Sequence, residues 1–250
     1  MDDLEENTPL QEEEADASMV ARLADPDALL QARVPELLRE KFEFFSYKNA
    51  AVILSETHPQ EWSELLEALE DLSITKEMLT TAGGNESAIP KHVSSLLRPS
   101  NWHETVIRGD LVVKLLWKEQ VNVTKSGKPK FEKRESEQIR RGYLDGHKID
   151  YVKNRVAFDL EWNSKDQTFD RDLYAFNAFY QAGAIDAAVL LTRSRDLNDV
   201  FRELGIASKY GASTTWMGKL IYRLDAGRNG GCPVLAIGIK PRCITDWPQV

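Results

Sequence analysis

Apolar residues recur every three or four positions in several parts of this chain, which is the spacing of amphipathic helices. The clearest case is HPQEWSELLEALEDL, residues 58–72, where the apolar side chains fall on one face. The same spacing predicts helices over residues 25–47, 168–184 and 195–205, and a short helix that begins at Lys91 and ends before Pro99. In 168–184 the predicted inward residues are Phe169, Leu173, Phe176 and Phe179.

Runs rich in β-branched and apolar residues predict strands between these helices. Residues 148–162, KIDYVKNRVAFDLEW, indicate one strand entered through a short turn, and 185–193 and 232–239 indicate two more. Residues 104–123 form either one strand or a hairpin that turns at Gly109-Asp110. Because strands alternate with helices in the second half, we expect an α/β fold: a central mixed sheet of five or six strands flanked by helices.

Charge is distributed unevenly over the 250 residues. Residues 1–16 hold eight acids and no Lys or Arg, which accounts for the whole net charge of -8. We therefore predict that residues 1–24 are an acidic, disordered tail and that 25–250 form a single domain. Within that domain, residues 124–143 are a basic insert, with seven Lys or Arg against three Glu, and we predict that it is flexible at Gly127 and Pro129 and helical at its end.

Several classes of protein are excluded by what the sequence lacks. No apolar run is long enough to span a membrane, and the acidic start is unlike a secretory signal. Cys232 and Cys243 have no metal-ligand spacing, and the four His residues are scattered, so a zinc site or disulfide framework is not expected. We predict a cytoplasmic protein without a membrane partner.

The strand in 148–162 carries three acids, although its other residues are mostly apolar. Since alternate residues of a strand share a face, Asp159 and Glu161 project side by side, about 7 Å apart. A turn at Lys153-Asn154 would bring Asp150 beside Asp159. The opposite face is apolar and consists of Val156, Phe158, Leu160 and Trp162.

Two interpretations of this acidic face are open. Hard divalent cations such as Mg²⁺ bind a few carboxylate oxygens and keep positions for water and phosphate, which this arrangement supplies. The plainer alternative, a half-buried strand with a solvated acidic face, is favoured by spacing alone. The surroundings favour the cation, because 124–143 and 193–242 are both basic. An acidic pocket among basic segments is typical of enzymes that cleave phosphodiesters.

Residues 149–192 resemble the catalytic segment of type II restriction endonucleases of the BglII, BstYI and BamHI kind, within the PD-(D/E)xK nuclease superfamily. The shared pattern is D-x8-[DE]-x-[QE], followed by a helix and a second strand, and weaker similarity extends over 45–240. The resemblance implies a restriction-endonuclease-like fold and a homodimer. It also implies Mg²⁺-dependent hydrolysis of double-stranded DNA at a short palindromic site, with Mn²⁺ able to substitute. A GATC-containing site and a companion DNA methyltransferase are further expectations.

The resemblance assigns roles to four acids. Asp150 and Asp159 match metal-binding residues, and Glu161 stands where the superfamily usually has Lys, as in its BamHI-like members. A carboxylate at 161 could bind a cation or orient the attacking water, but it cannot supply positive charge to the transition state. Glu104 matches an upstream position that completes the catalytic set. Lys165 either reaches the scissile phosphate or is an ordinary surface residue.

Residues that contact DNA are predicted from their type and position. Hydroxyls and Arg suit base edges, and Lys and Arg suit phosphates. The alternative is that these segments are ordinary solvated surface. The candidates around the polar loop at 207–215 are Lys209, Tyr210, Ser213, Thr214, Thr215, Arg223 and Arg228, and those in the basic insert are Lys125, Lys128, Lys130, Arg140 and Arg141.

Three other functions compete with a restriction enzyme. A structure-selective or low-specificity DNA repair nuclease would degrade mixed DNA to a smear, whereas a restriction enzyme would give discrete bands. A catalytically inactive relative would bind DNA without cleaving it, although the retention of three mutually repelling acids argues against this. An interaction protein built on acidic and helical surfaces is the weakest alternative.

Overall fold

A computed structural model describes residues 23–81, 87–211 and 213–248 of the chain. The predicted acidic tail, residues 1–24, lies outside the described residues except for its last two. Those two are held to the fold: the Leu23 amide donates to Asp225 Oδ1 at 3.1 Å, and Ala24 forms an isolated β-bridge with Tyr47.

Six strands of the described chain form one mixed sheet in the order β1-β6-β5-β4-β3-β2. Strands β4, β5 and β6 are parallel, while β1 runs antiparallel to β6 and β3 antiparallel to β4. The sheet is flanked by helices, so the predicted α/β class with a central mixed sheet of five or six strands is confirmed. The strands are β1 Phe42–Tyr47, β2 His103–Val123, β3 Pro129–Lys153, β4 Val156–Leu160, β5 Ala187–Arg193 and β6 Val234–Ile239.

Helices of the described residues precede β1 and lie in several of the connections between the strands. Short 3-10 turns lie at Arg98–Ser100, Ala207–Tyr210 and Pro241–Cys243. The α-helices are α1 Asp27–Gln31, α2 Glu36–Lys41, α3 Ala50–Thr57, α4 Pro59–Asp71, α5 Lys76–Thr80, α6 Ala88–Leu97, α7 Thr168–Gln181, α8 Leu197–Glu203 and α9 Met217–Asp225. Among the helices described, none is long and apolar enough to cross a membrane.

The two strongest helix predictions are confirmed, because both helices have a continuous apolar stripe. In α4 the side chains of Trp62, Leu65 and Leu69 are buried in the main apolar core. In α7 the buried stripe runs from Phe169 to Phe179 at helical spacing. The parallel strands β5 and β6 are buried over their whole lengths, as expected for strands covered on both faces.

The prediction of one helix over 25–47 is wrong, because the segment forms the two short helices α1 and α2 and ends in a strand. Residues 42–47 form the edge strand β1, which pairs with β6 from Phe42↔Ile239 to Tyr47↔Val234. The segment FEFFSY has no helical period of its own, and pairing with a strand nearly 200 residues later decides its conformation. Phe42 and Tyr47 are buried as a result.

The chain divides into two compact units, one of residues 1–105 with 149–250 and one of Val106–Lys148. The second unit is a long hairpin made of most of β2 and most of β3. Its tip is a turn in which the Thr124 amide donates to the Lys128 carbonyl at 2.7 Å. Of the two alternatives for 104–123, one continuous strand is therefore correct. The predicted helix at the end of the basic insert is wrong, since that segment belongs to β3.

Candidate active site

Asp150 and Asp159 are brought together by the tight turn between β3 and β4. The turn consists of Asn154 and Arg155, one residue further along than predicted, and Asn154 adopts a left-handed φ of 49°. This conformation suits hairpin turns, where Asn is favoured. The strand register runs from Lys153↔Val156 to Tyr151↔Phe158. Just beyond it, the Asp150 amide donates to Asp159 Oδ1 at 2.7 Å.

Glu161 follows directly after β4, at the carboxyl end of the parallel strands, which is where open α/β sheets place their ligands. Its amide donates to the Leu191 carbonyl at 3.0 Å, which continues the pairing with β5. Its own carbonyl accepts from the Thr192 hydroxyl at 2.9 Å and the Thr215 hydroxyl at 3.3 Å. Both threonines are fully buried, so the backbone at Glu161 is firmly fixed.

These acids are removed from water to an unusual degree. Asp159 is 5% exposed and Glu161 7% exposed. Burial raises the pKa of Asp159 well above its ordinary value, and the negative charges of Asp172 and Asp150 raise it further. A carboxyl in this position favours either a proton or a cation close by.

Asp172 is a fourth acid at this site and was not predicted from the sequence. It lies in the first turns of α7, is 3% exposed, and has its pKa raised to about 8 by burial and then by the adjacent charge of Glu161. A signal was present in the sequence. Asp172 is three residues after Phe169 and four before Phe176, so it lies on the inward stripe of the helix, where an acid is out of place.

Arg171 contacts two of these acids from the same helix. Its Nη2 donates to Glu161 Oε1 at 3.1 Å and to Asp172 Oδ1 at 2.9 Å, and its Nε donates to Asp172 Oδ1 at 3.0 Å. Partial burial lowers the pKa of Arg171, but the neighbouring carboxylates, led by Asp172, outweigh this and raise it above its ordinary value.

Two carboxylate oxygens of the site, Glu161 Oε2 and Asp172 Oδ2, are buried and have no hydrogen-bond partner among the described residues. Oxygen atoms in this state suit a proton or a hard cation, and carboxylate oxygens are among the ligands that Mg²⁺ binds in proteins. As the side chains stand, no group of three or more His, Cys, Asp or Glu among the described residues has the geometry to hold a metal ion. The chemistry of the donors fits Mg²⁺, but the carboxylates would have to draw together around it.

Two other predicted catalytic residues are on the protein surface. Glu104 is exposed near the start of β2, and it is not among the charges that dominate the pKa of Asp159. Lys165 is exposed, with its Nζ 3.5 Å from Ser213 Oγ. Both alternatives for Lys165 stay open, because an exposed side chain could also reach a bound phosphate.

The polar loop at 207–215 is less open than predicted. Tyr210 is 5% exposed, stacks on Phe201 and donates its hydroxyl to the Leu79 carbonyl. Thr215 is fully buried against Glu161. These positions contradict contacts of Tyr210 and Thr215 with DNA bases. Both side chains are directed inward by packing that the polar sequence does not reveal.

Two basic candidates of the same region also have structural roles. Lys209 donates to the carbonyls of Leu79 and Thr81 at 2.8 and 2.6 Å, and burial lowers its pKa. Arg223 is 7% exposed and forms ion pairs with Asp170 and Asp166 at 3.1 and 3.8 Å. The burial of Arg223 contradicts a base contact, which corrects that prediction, whereas Lys209 is half-buried and its contact with DNA stays a prediction.

The remaining DNA candidates keep accessible positions. Ser213 and Arg228 are exposed, and Arg228 donates to Asp170 Oδ1 at 2.8 Å. Thr214 is half-buried and accepts from Arg193 Nη2 at 2.9 Å. The candidates in the basic insert are all exposed: Lys125, Lys128, Lys130, Arg140 and Arg141.

A comparison with protein-family models gives one match that spans most of the chain. The family described as restriction endonuclease BglII/BglIII matches residues 42–239, which include the whole acidic cluster. No curated protein matches the chain.

Proposed function

Since this chain belongs to the family of BglII/BglIII restriction endonucleases, we propose that it is a Mg²⁺-dependent type II enzyme. Its substrate is double-stranded DNA, cleaved at a short palindromic site. We also propose that the enzyme is a homodimer, because a protein with two-fold symmetry matches the symmetry of a palindromic site. The proposal also covers a GATC-containing site and a companion DNA methyltransferase.

The observation that carries the proposal is the convergence of acids at the end of β4. The β3–β4 turn brings the Asp150 backbone onto the Asp159 carboxylate at 2.7 Å, and Glu161 follows two residues later. Buried, mutually repelling carboxylates lower the stability of a fold unless a ligand compensates for them. A divalent cation is a ligand of the required charge and chemistry.

Asp150, Asp159 and Glu161 are the residues that would hold the cation, and Asp172 extends the acidic set. When bound, Mg²⁺ or Mn²⁺ supplies positive charge to the phosphate and acidifies water. Glu161 then has two tasks that its fixed backbone permits: to orient the attacking water in line with the leaving 3′ oxygen, and to accept its proton.

The exposed hairpin unit is the proposed contact with the DNA backbone. Residues 106–148 carry eleven Lys or Arg against six Asp or Glu. A surplus of positive charge on an exposed, extended ribbon suits the continuous negative charge of a duplex. The basic candidates in this unit are Lys125, Lys128, Lys130, Arg140 and Arg141. Ser213, Thr214 and Arg228 remain candidates for contacts from the first unit.

The test is to incubate the purified protein with a plasmid of known sequence that contains GATC sites. Parallel reactions contain Mg²⁺, Mn²⁺ or EDTA, and the ends of the products are mapped. We expect discrete ends at one palindrome in both metals and intact DNA in EDTA. A smear would support a low-specificity nuclease instead, and intact DNA under all conditions would refute the proposal.

A further inference from the structure

The proposed cleavage reaction requires positive charge near the scissile phosphate, and the acidic residues of the site supply none. Attack on a phosphodiester increases negative charge on the phosphoryl oxygens, and preorganised donors stabilise that charge in the transition state. The strand that carries Asp159 places a second acid, Glu161, next along the same face. Lys165, the basic residue considered for this task from sequence, has its Nζ near Ser213.

Arg171 has the geometry for this task. Its guanidinium makes three hydrogen bonds to the carboxylates of Glu161 and Asp172, although its side chain is 71% exposed. An exposed arginine normally samples many rotamers, but these bonds hold the head group in one orientation. It is therefore a fixed positive charge at the solvent-facing side of the buried acids.

Some N–H groups of the Arg171 guanidinium make hydrogen bonds to the carboxylates and others do not. A guanidinium has five N–H groups. The bonds to Glu161 and Asp172 come from Nε and Nη2, and no acceptor for Nη1 is seen among the described residues. The two N–H groups of Nη1 are therefore left to donate to an anion such as a phosphate oxygen.

We propose that Arg171 binds the scissile phosphate through Nη1 and that Asp172 positions it there, an inference that rests on the proposed function. In this account Asp172 does not touch the substrate. It is buried behind the arginine, where both of its bonds from Arg171 end on the same oxygen, Oδ1. Arg171 thus supplies from the next helix the charge that an acid at 161 cannot.

The test compares the wild type with Arg171→Ala, Arg171→Lys and the control Arg202→Ala on the same plasmid-derived duplex. Arg202 also pairs with an aspartate, Asp199, but on the surface of α8. Single-turnover cleavage is measured in Mg²⁺, duplex affinity is measured in Ca²⁺ or EDTA, and folding is checked by thermal denaturation.

We expect Arg171→Ala to slow single-turnover cleavage about 100-fold or more, the usual effect of losing one transition-state donor. Duplex affinity should fall by less than about 10-fold, because a single phosphate contact is only a small part of DNA binding. Arg171→Lys should be intermediate, since it keeps the charge but loses the planar fork. Arg202→Ala should cleave within about 2-fold of the wild type.

A double variant separates this role from simple neutralisation of the acids. If Arg171 served only to offset Asp172, adding Asp172→Asn to Arg171→Ala would restore cleavage. We expect no restoration by Asp172→Asn and partial rescue of Arg171→Ala by added guanidinium ion. Restored cleavage by the double variant would overturn this inference alone. The same holds if the wild type cleaves DNA and the Arg171→Ala variant cleaves it equally fast. A wild type that cleaves no DNA would overturn the proposed function and this inference with it.

Discussion

Strand β4 and the hairpin of 106–148 are both β-structure, but they have opposite environments. Every residue of β4 is buried, including Asp159, whereas nearly every residue of the hairpin is exposed. A charge in β4 therefore costs free energy that a ligand can recover, while a charge on the hairpin is solvated and costs almost nothing. The first kind of charge indicates chemistry, and the second indicates long-range attraction.

The hairpin also exposes large apolar side chains, which a solvated ribbon does not need. A two-stranded hairpin without further packing is marginally stable in water. Its conformation therefore depends on backbone pairing and on cross-strand ion pairs such as Arg134–Glu119 at 2.7 Å. The exposed apolar residues are Val106, Val112, Leu115, Leu116, Trp117, Val121, Val123, Phe131, Ile139 and Tyr143.

The largest expected effect is on Asp159. We expect Asp159→Asn to reduce cleavage at least about 1,000-fold, because the cation loses a ligand. Stability should change in the opposite direction. The folded pKa of Asp159 is raised, so the unfolded chain ionises first and stability falls as pH rises above about 4. Asn removes this cost, so the melting temperature should rise at pH 7 and change little near pH 4.

Cleavage assays and thermal denaturation at both pH values check this prediction, with the surface variant Asp199→Asn as control. Full cleavage activity of the Asp159→Asn variant would show that Asp159 is not part of the active site. A lower melting temperature of the variant at pH 7 would show that burial of the Asp159 carboxylate does not destabilise the fold.

The next largest expected effect is a difference between the two regions in how much an apolar side chain contributes to the free energy of unfolding. Phe158→Ala in β4 removes a side chain that is 2% exposed and should lower the free energy of unfolding by about 3–5 kcal/mol. Leu116→Ala in the hairpin removes one that is 73% exposed and should cost less than about 0.5 kcal/mol. Denaturant unfolding of both variants measures the difference. Equal losses would mean that the hairpin is packed against something in solution.

The positive charge of the hairpin should affect the affinity for DNA but not the stability of the fold. We expect the triple variant Lys128→Ala, Lys130→Ala, Arg140→Ala to weaken duplex binding about 10-fold and to reduce the slope of log K against log salt by about 0.9 for each lost phosphate contact. Binding titrations over a range of salt concentrations measure both, with the surface variant Lys91→Ala as control. An unchanged slope would exclude these three residues from the DNA interface.

The smallest effect concerns Glu43 in β1, whose pKa is raised to about 7 by burial and then by Asp196. Because the unfolded value is about 4.5, stability should fall as pH rises from about 4.5 to about 7. Glu43→Gln should therefore stabilise the protein at pH 8, on the order of 1 kcal/mol, and have no effect at pH 4. Unfolding at both pH values tests this, and Glu137→Gln on the hairpin should change neither.

The sequence predicted those features that depend on local periodicity. The stripes of α4 and α7, the alternation of β4 and the turn that pairs Asp150 with Asp159 are all encoded within short segments. Features that depend on distant partners were missed. Residues 42–47 become a strand only through β6. The loop residues Tyr210 and Thr215 turn inward because Leu79 and Glu161 accept their hydroxyl hydrogens.

The proposed function depends on a divalent cation bound by the acids at the end of β4. Titration of the protein with Mn²⁺, followed by loss of the free-ion EPR signal, measures this without DNA or cleavage. The account predicts saturable binding by the wild type and at least about 10-fold weaker binding by Asp159→Asn, with Asp199→Asn unchanged. Equal Mn²⁺ binding by the wild type and Asp159→Asn would contradict it.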